Sequence, residues 1–359
     1  MAEYYFKLPQ ITELTISQQA ALNETNQIAL SGGPGTGKSV VSLWRHISNH
    51  QKNEKSLLLT YTTTLARYLS ACCRTQSSKA ASNVGRSYKD KHRINENWTE
   101  IIIDEAQDLS KDYYNTNLKI SYGADDSQIL YPDKSITEEE LKELFPDNVD
   151  HVLDKNFRST QRIMQFAKVV FSEAYIPQST IDGLANNVGE LPILLTTGKN
   201  QWNDETKKFD ISNFKQNQSI IKIINSFRSD THNISILVPF KRDAQAFERV
   251  LQENNITDFS IYYEDRDRFP DGCKEIKNVH ITTFKSAKGL EFDTVIIPNF
   301  GTILERVPVI ITDKDTGEQK IICTWKDIYV GVTRARSNLY LLSNKDIPQL
   351  KSVTDKSII

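Results

Sequence analysis

Cysteine is scarce in this sequence, with four among 359 residues, and only Cys72 and Cys73 are neighbours. With Cys273 and Cys323 standing alone, the set has neither the spacing of a zinc site nor the framework of a disulfide-stapled domain. Ordinary thiols in a reducing compartment are the expectation. Long apolar runs are absent too: no window approaches eighteen uninterrupted apolar residues, and the opening "MAEYYFKLPQITEL" lacks a basic stretch followed by an apolar one. Neither a membrane contact nor an export signal is predicted, and the expected location is cytoplasmic. Nor is there an overall basic excess, since 44 Lys and Arg stand against 46 Asp and Glu. Any grip on nucleic acid must come from a local groove.

What the sequence does have is length for two domains and the rhythm of parallel sheets. Short apolar runs recur at "QIALSG", "SLLLTY", "EIIIDE", "LKISYG" and "VDHVL". A second series follows at "LPILLT", "ISILVP", "FSIYY", "VHITTF", "TVIIP" and "NLYLLS". Between them lie segments of helical spacing or chain breakers, so the predicted class is α/β: two tandem domains, each a mostly parallel sheet with helices on both faces. The amphipathic stretch "STQRIMQFAKVVFSEAY" opens the second, which places the domains at 1–153 and 154–359. Near 303–323, "DKDTGEQ" separates "VPVIIT" from "KIICTW", the pattern of a hairpin insertion.

Chemistry enters at "QIALSGGPGTGKSVV". Gly32, four residues, then Gly37, Lys38 and Ser39 make a phosphate-binding loop between a strand and a helix. In such a loop the backbone of Gly33, Gly35, Thr36 and Gly37 turns its N–H groups onto phosphate oxygens, Lys38 reaches the terminal phosphates and Ser39 ligates Mg2+. "IIIDEAQD" then places Asp104 and Glu105 at the end of an apolar strand, where Asp104 can hold the metal and Glu105 can take a proton from attacking water.

The order of motifs "LTISQQAAL", "GGPGTGKS", "LLLTYTT", "IIIDEAQD", "YGADDSQILY", "LDKNFRST", "ITTFKSAKGLEFD" and "YVGVTRAR" resembles the superfamily 1 helicases of the UvrD/Rep type. The resemblance runs from Leu14 to Arg336 and implies two RecA-like domains that use ATP and Mg2+. It implies that Gln18 reads adenine, that Gln128 senses the γ-phosphate, and that Phe157 stacks on the base where the family usually has tyrosine. Arg158 and Arg334 match the two arginines that stabilise phosphoryl charge, and Glu291 matches a residue associated with the ribose. On the nucleic-acid side the matching positions are Tyr61, Thr62, Tyr131, Thr283 and Lys285.

Three departures accompany the match: "PDKSI" follows Tyr131 in place of a glycine and a tryptophan, Lys285 replaces histidine, and "TTT" after Tyr61 lacks the usual asparagine and basic pair. Tyr61 can equally be core. Spacing departs further. Only 42 residues separate Tyr61 from Asp104 and only 37 separate Ala244 from Thr282, where duplex-unwinding relatives carry inserted subdomains. In the first gap sits a basic run, Arg67, Arg74, Lys79, Arg86, Lys89, Lys91 and Arg93 against Asp90 alone, which is either a solvated face or, with Arg86 foremost, a phosphate contact. From Asp133 to Asp154 eight acids face two lysines, the composition of a solvated face.

The expected activity is ATP-dependent translocation on single-stranded nucleic acid, with DNA and 3′ to 5′ movement implied by the resemblance and weak strand separation by the missing subdomains. A nucleic-acid-activated ATPase switch working with a nuclease or other effector carries the same motifs. A binding module without turnover is opposed by the intact Lys38, Asp104, Glu105, Arg158 and Arg334.

Overall fold

The computed structural model describes residues 4, 8–131, 134–197, 202–203, 208–209, 214–262, 276–312 and 319–356. Cys273, Asp133 and the polar turn at 313–318 lie outside them. The chain divides into two compact units, Phe6–Phe157 and Met1–Tyr5 with Arg158–Ile359.

The first unit runs α1 (Ile16–Asn23), β1 (Ile28–Ser31), α2 (Lys38–Gln51), β2 (Ser56–Thr60), α3 (Thr63–Arg74), α4 (Ser78–Ser82), β3 (Val84–Arg86), β4 (Glu100–Asp104), β5 (Ile120–Gly123), α5 (Glu138–Leu144) and β6 (Val149–Val152). Its sheet is parallel throughout, in the order β3-β2-β4-β5-β1-β6. Because Thr60 pairs with Asp104, Asp104 with Gly123, and Leu30 with Gly123, four strands end level. The residues that follow them therefore emerge at one carboxyl edge. Five of the six strands come from apolar runs; β3, "VGR", is too short and too polar to read as one. The apolar side chains of β2, β4 and β5, with Leu57, Leu59, Ile101, Ile103 and Tyr122, form a core that leaves the strand ends polar.

Local chemistry sets the helix ends. Thr15 and Gln18 form a capping box on α1, and Thr137 and Glu140 form another on α5, whose first turn carries Glu138, Glu139 and Glu140. Much of the acidic run thus sits where a helix dipole favours negative charge.

The second unit comprises α6 (Gln161–Val170), α7 (Gln178–Asp182), β7 (Ile193–Thr196), β8 (Trp202–Asn203), β9 (Lys208–Phe209), α8 (Phe214–Phe227), β10 (Ile234–Val238), α9 (Lys241–Glu253), β11 (Ser260–Tyr262), β12 (Val279–Thr283), β13 (Phe292–Ile297), α10 (Phe300–Arg306), β14 (Val309–Thr312), β15 (Gln319–Cys323), α11 (Trp325–Val332) and β16 (Ala335–Ser343). All six apolar runs of the second series enter one parallel sheet, β11-β12-β10-β13-β16-β7, whose core includes Ile234, Ile236, Val279, Ile281 and Ile296. β14 and β15 pair antiparallel as a separate hairpin. The hairpin is shorter than the sequence suggested, because residues 303–306 belong to α10. Both units are α/β sheets of the expected class. No described helix is long and apolar enough to cross a membrane.

Candidate functional site

The phosphate loop follows β1. Gly32 has φ 139°, and a Cβ there would stand 2.2 Å from the Leu153 carbonyl oxygen; Gly37, at φ 91°, leaves no room for one against Gln18 Nε2 at 2.3 Å. Only glycine satisfies either position. Thr36 Oγ1 donates to Gly33 O at 2.8 Å and closes the turn. The Lys38 ammonium, in the first turn of α2, donates to Gly33 O at 3.1 Å and to Gly32 O, and lies 3.5 Å from Asp125 Oδ2. Gln18 is buried on this loop: Nε2 donates to Thr36 O at 2.9 Å while Oε1 accepts from Thr15 N at 3.0 Å. Its amide is thus a brace for the loop in addition to any contact with a base.

Phe157 is held beside the same loop by its own N–H, which donates to Gly35 O at 2.8 Å. Buried Asn156 donates through Nδ2 to Pro34 O at 2.7 Å and fixes the approach. The phenyl ring is 49% exposed, an unusual state for phenylalanine and the state a stacking surface requires.

At the end of β4, Asp104 Oδ2 accepts a 2.8 Å hydrogen bond from Ser39 Oγ. A hydroxyl and a carboxylate oxygen are the hard donors that Mg2+ takes along with phosphate oxygens and water. The pair fits the metal. Among the described residues no cluster of three or more His, Cys, Asp or Glu could hold a metal by itself. Glu105 is left-handed, φ 58° and ψ 45°, a conformation that costs a residue with a Cβ roughly 1–2 kcal/mol. It turns the chain at the strand end, and its carboxylate accepts from Gln107 Nε2 at 2.6 Å.

Two residues overlooked as individual participants join these groups. Fully buried Gln107 accepts from Asp125 N through Oε1 at 3.2 Å while holding Glu105. Asp125 accepts from Ser127 N and Oγ, and from Gln128 Nε2 at 2.6 Å, besides its ion pair with Lys38. Lys38, Asp125 and Gln128 therefore form one chain, and Glu105 is linked to it through Gln107. Both residues stand inside motifs, Gln107 in "DEAQ" and Asp125 in "DDSQ", and their polar side chains at the ends of apolar strands are the signal in the sequence that marks them. Glu138 and Asp126 exchange hydrogen bonds, Asp126 N to Glu138 Oε1 at 3.2 Å and Glu138 N to Asp126 Oδ1 at 2.9 Å, which ties this turn to α5. Burial holds the Glu138 carboxyl above its ordinary range.

The same sheet edge carries an aromatic group. Tyr61, half-buried against the core, lies 5.1 Å from Tyr131 and 6.0 Å edge-on from Tyr88, ring centre to ring centre. Tyr61 is both core and surface. Tyr88, 47% exposed and unforeseen because it sits among basic residues, continues the group to Tyr113 at 5.4 Å, and Lys91 caps Tyr113 at 4.8 Å. Thr62 spends its hydroxyl capping α3, where it accepts from Leu65 N. Arg86 donates to Thr63 Oγ1 at 2.5 Å, and Arg93 donates to Asn83 and lies over Trp98 at 5.7 Å. The basic run is thus distributed over α3, α4, β3 and a following 3-10 turn, with several members in protein contacts.

In the second unit, three arginines gather on Leu290 and Glu291. Arg158 Nε lies 3.3 Å from Glu291 Oε2, Arg336 donates to Oε1 of the same carboxylate, and Arg334 NH1 donates to Leu290 O at 3.4 Å. Arg334 is 1% exposed; Nε donates to Val330 O at 3.0 Å. Arg336 was overlooked although it stands in "TRAR". Thr283 is buried, with Oγ1 bonded to Ser286 Oγ at 3.0 Å, and Lys285 Nζ lies 2.9 Å from buried Asp327 Oδ1. A phosphate contact from Lys285 would have to share the ammonium with that carboxylate. Nothing in the spacing foretold this partner, which lies 42 residues on in α11.

A family model, the UvrD-like helicase C-terminal domain, matches residues 259–346, from the start of β11 to just past β16. No curated protein matches the chain. Among solved structures, the C-terminal domain of a possible DNA helicase from Lactobacillus plantarum WCFS1 is 20% identical, covering 55% of this chain and 93% of that one with a TM-score of 0.33. The PRRSV helicase is 12% identical, covering 95% of this chain and 56% of that one with a TM-score of 0.44. The similarity to the C-terminal domain of the UvrD-like helicases thus spans residues 259–346 of the second unit and agrees with the family that the motifs resemble.

Proposed function

We propose that the chain is an ATPase that moves along single-stranded nucleic acid, DNA in the first instance. The observation that carries this reading is the level carboxyl edge of the first sheet, which brings the phosphate loop, Asp104, Glu105, Asp125 and Gln128 together beside the Tyr61, Tyr88 and Tyr131 rings. Lys38 and the loop N–H groups bind the triphosphate, and Phe157 offers its exposed face to the base. When bound at Ser39 and Asp104, Mg2+ supplies positive charge to the β- and γ-phosphate oxygens. Glu105 accepts the proton of the attacking water as the terminal phosphoryl group leaves ADP. Gln128 orients that water or the γ-phosphate, held in register by Asp125. Arg158 and Arg334 stabilise the charge spread over the transferring phosphoryl oxygens.

The aromatic group suits a partner read without sequence preference, since every base has a face to stack. Short gaps in place of inserted subdomains support displacement of short duplexes at most. Steady-state ATP hydrolysis with and without single-stranded DNA, single-stranded RNA and tailed duplexes tests the reading. Stimulation by single strands supports it, and a rate indifferent to all three counts against it.

A further inference from the structure

We propose that Tyr4, near the start of the chain, is a positioning residue for the Leu290–Glu291 segment, whose peptide carbonyl holds Arg334 and whose carboxylate holds Arg158 and Arg336. Its phenol donates to Glu291 O and accepts from Glu291 N at 3.4 Å, using both capacities of a hydroxyl on the backbone of one residue. The ring is 2% exposed and packs edge-on to Phe292 at 5.8 Å, and Tyr4 N donates to Ile276 O at 2.9 Å. Although 287 positions away in sequence, Tyr4 belongs to the same compact unit as Glu291.

The geometry says why the contact matters. Glu291 N and Leu290 O are opposite edges of one planar peptide. Tyr4 holds the N–H edge and Arg334 NH1 holds the C=O edge, so a rotation of that plane breaks both bonds. The next side chain along is the Glu291 carboxylate, bracketed by Arg158 on Oε2 and Arg336 on Oε1, with Arg336 Nε also 3.8 Å from Asp293. A tilt of the peptide displaces the carboxylate and with it the two guanidinium groups. Gly289, immediately before, has φ 81° and gives the segment no side chain of its own to lock it. Tyr4 supplies that lock from outside.

The consequence for activity rests on the reading above, that Arg158 and Arg334 act on ATP. Guanidinium forks aimed at transition-state charge tolerate little displacement. The experiment compares the full chain with Tyr4→Phe, which keeps the ring and loses both hydroxyl bonds, and with Tyr4→Ala. Hydrogen–deuterium exchange of the Glu291 amide is measured without nucleotide, alongside kcat and KM for ATP and the melting temperature. Tyr4→Phe is expected to speed exchange at Glu291 and lower kcat about tenfold, with KM and melting temperature near those of the parent. Tyr4→Ala should show the same faster exchange with some loss of stability. Unchanged exchange at Glu291 in both variants overturns the proposal. Faster exchange with parental kcat overturns it as well, since the arginines would then be set without Tyr4. A parent that hydrolyses no ATP refutes the functional reading instead, while the exchange result still decides whether Tyr4 holds the segment.

Discussion

Ser39 Oγ donates to Asp104 Oδ2 at 2.8 Å, joining the first turn of α2 to the last residue of β4 across 65 positions of sequence. The hydroxyl and carboxylate thus stand together as a hard-oxygen pair. Ser39→Ala removes one donor and leaves Asp104. The Mg2+ concentration for half-maximal ATP hydrolysis is expected to rise on the order of tenfold, with Ser39→Thr close to the parent. A magnesium titration that superimposes all three proteins would remove Ser39 from the metal site.

Glu105 occupies a left-handed turn at the strand end, bonded to Gln107, while Lys38 is bonded to loop carbonyls and Asp125. Their substitutions should separate binding from chemistry. Glu105→Gln keeps ATP affinity and lowers kcat by about 10² to 10⁴, whereas Lys38→Ala weakens both. Equilibrium binding of a fluorescent ATP analogue, measured beside turnover, checks the distinction. Parental turnover in Glu105→Gln would assign the general base elsewhere.

Tyr88 and Tyr131 flank Tyr61 at the sheet edge. Each replaced by alanine should weaken binding of single-stranded oligonucleotides by about 1–3 kcal/mol, in line with the loss of one stacked base. Basal ATP hydrolysis should hold for Tyr88→Ala. Fluorescence anisotropy gives the affinities, and parental binding by both variants would mean that the rings serve packing alone.

Asp243, in the first turn of α9 and 4% exposed, is pushed up to about 7 by burial, a rise opposed by Arg242, which lies 3.8 Å away. Since the unfolded carboxyl titrates near 3.8, the folded state holds the extra proton between those values. Stability from this group is full at acid pH and is lost as pH rises through about 7. Asp243→Asn removes the dependence. In urea melts at about pH 5 and about pH 8, the variant's stability relative to the parent should be greater at the higher pH, by about 1–3 kcal/mol. An equal difference at both would contradict the burial argument.

The sequence showed the sheets well because parallel strands buried on both faces read as apolar runs, and all six of the second series became neighbours in one sheet. β3 escaped because "VGR" offers neither length nor apolar character, and pairing with β2 alone defines it. The phosphate loop and "DEAQ" were legible for a related reason: their chemistry lies within a few consecutive residues. What stayed hidden needs the third dimension. The Lys285–Asp327 pair, the Tyr88 ring between Tyr61 and Tyr113, and the Tyr4 contact with Glu291 join residues that are separated in the chain and carry no spacing rule.

The most direct test of translocation is the time the protein takes to reach the end of a single strand. Strands of increasing length, labelled at one terminus, are mixed with protein and ATP under single-turnover conditions with a trap for released protein. Arrival time should grow in proportion to strand length, require hydrolysable ATP, and vanish for Glu105→Gln. Arrival that is independent of length, or ATP hydrolysis stimulated by single strands without any arrival at the end, would contradict a moving ATPase and leave a stationary nucleic-acid-activated switch in its place.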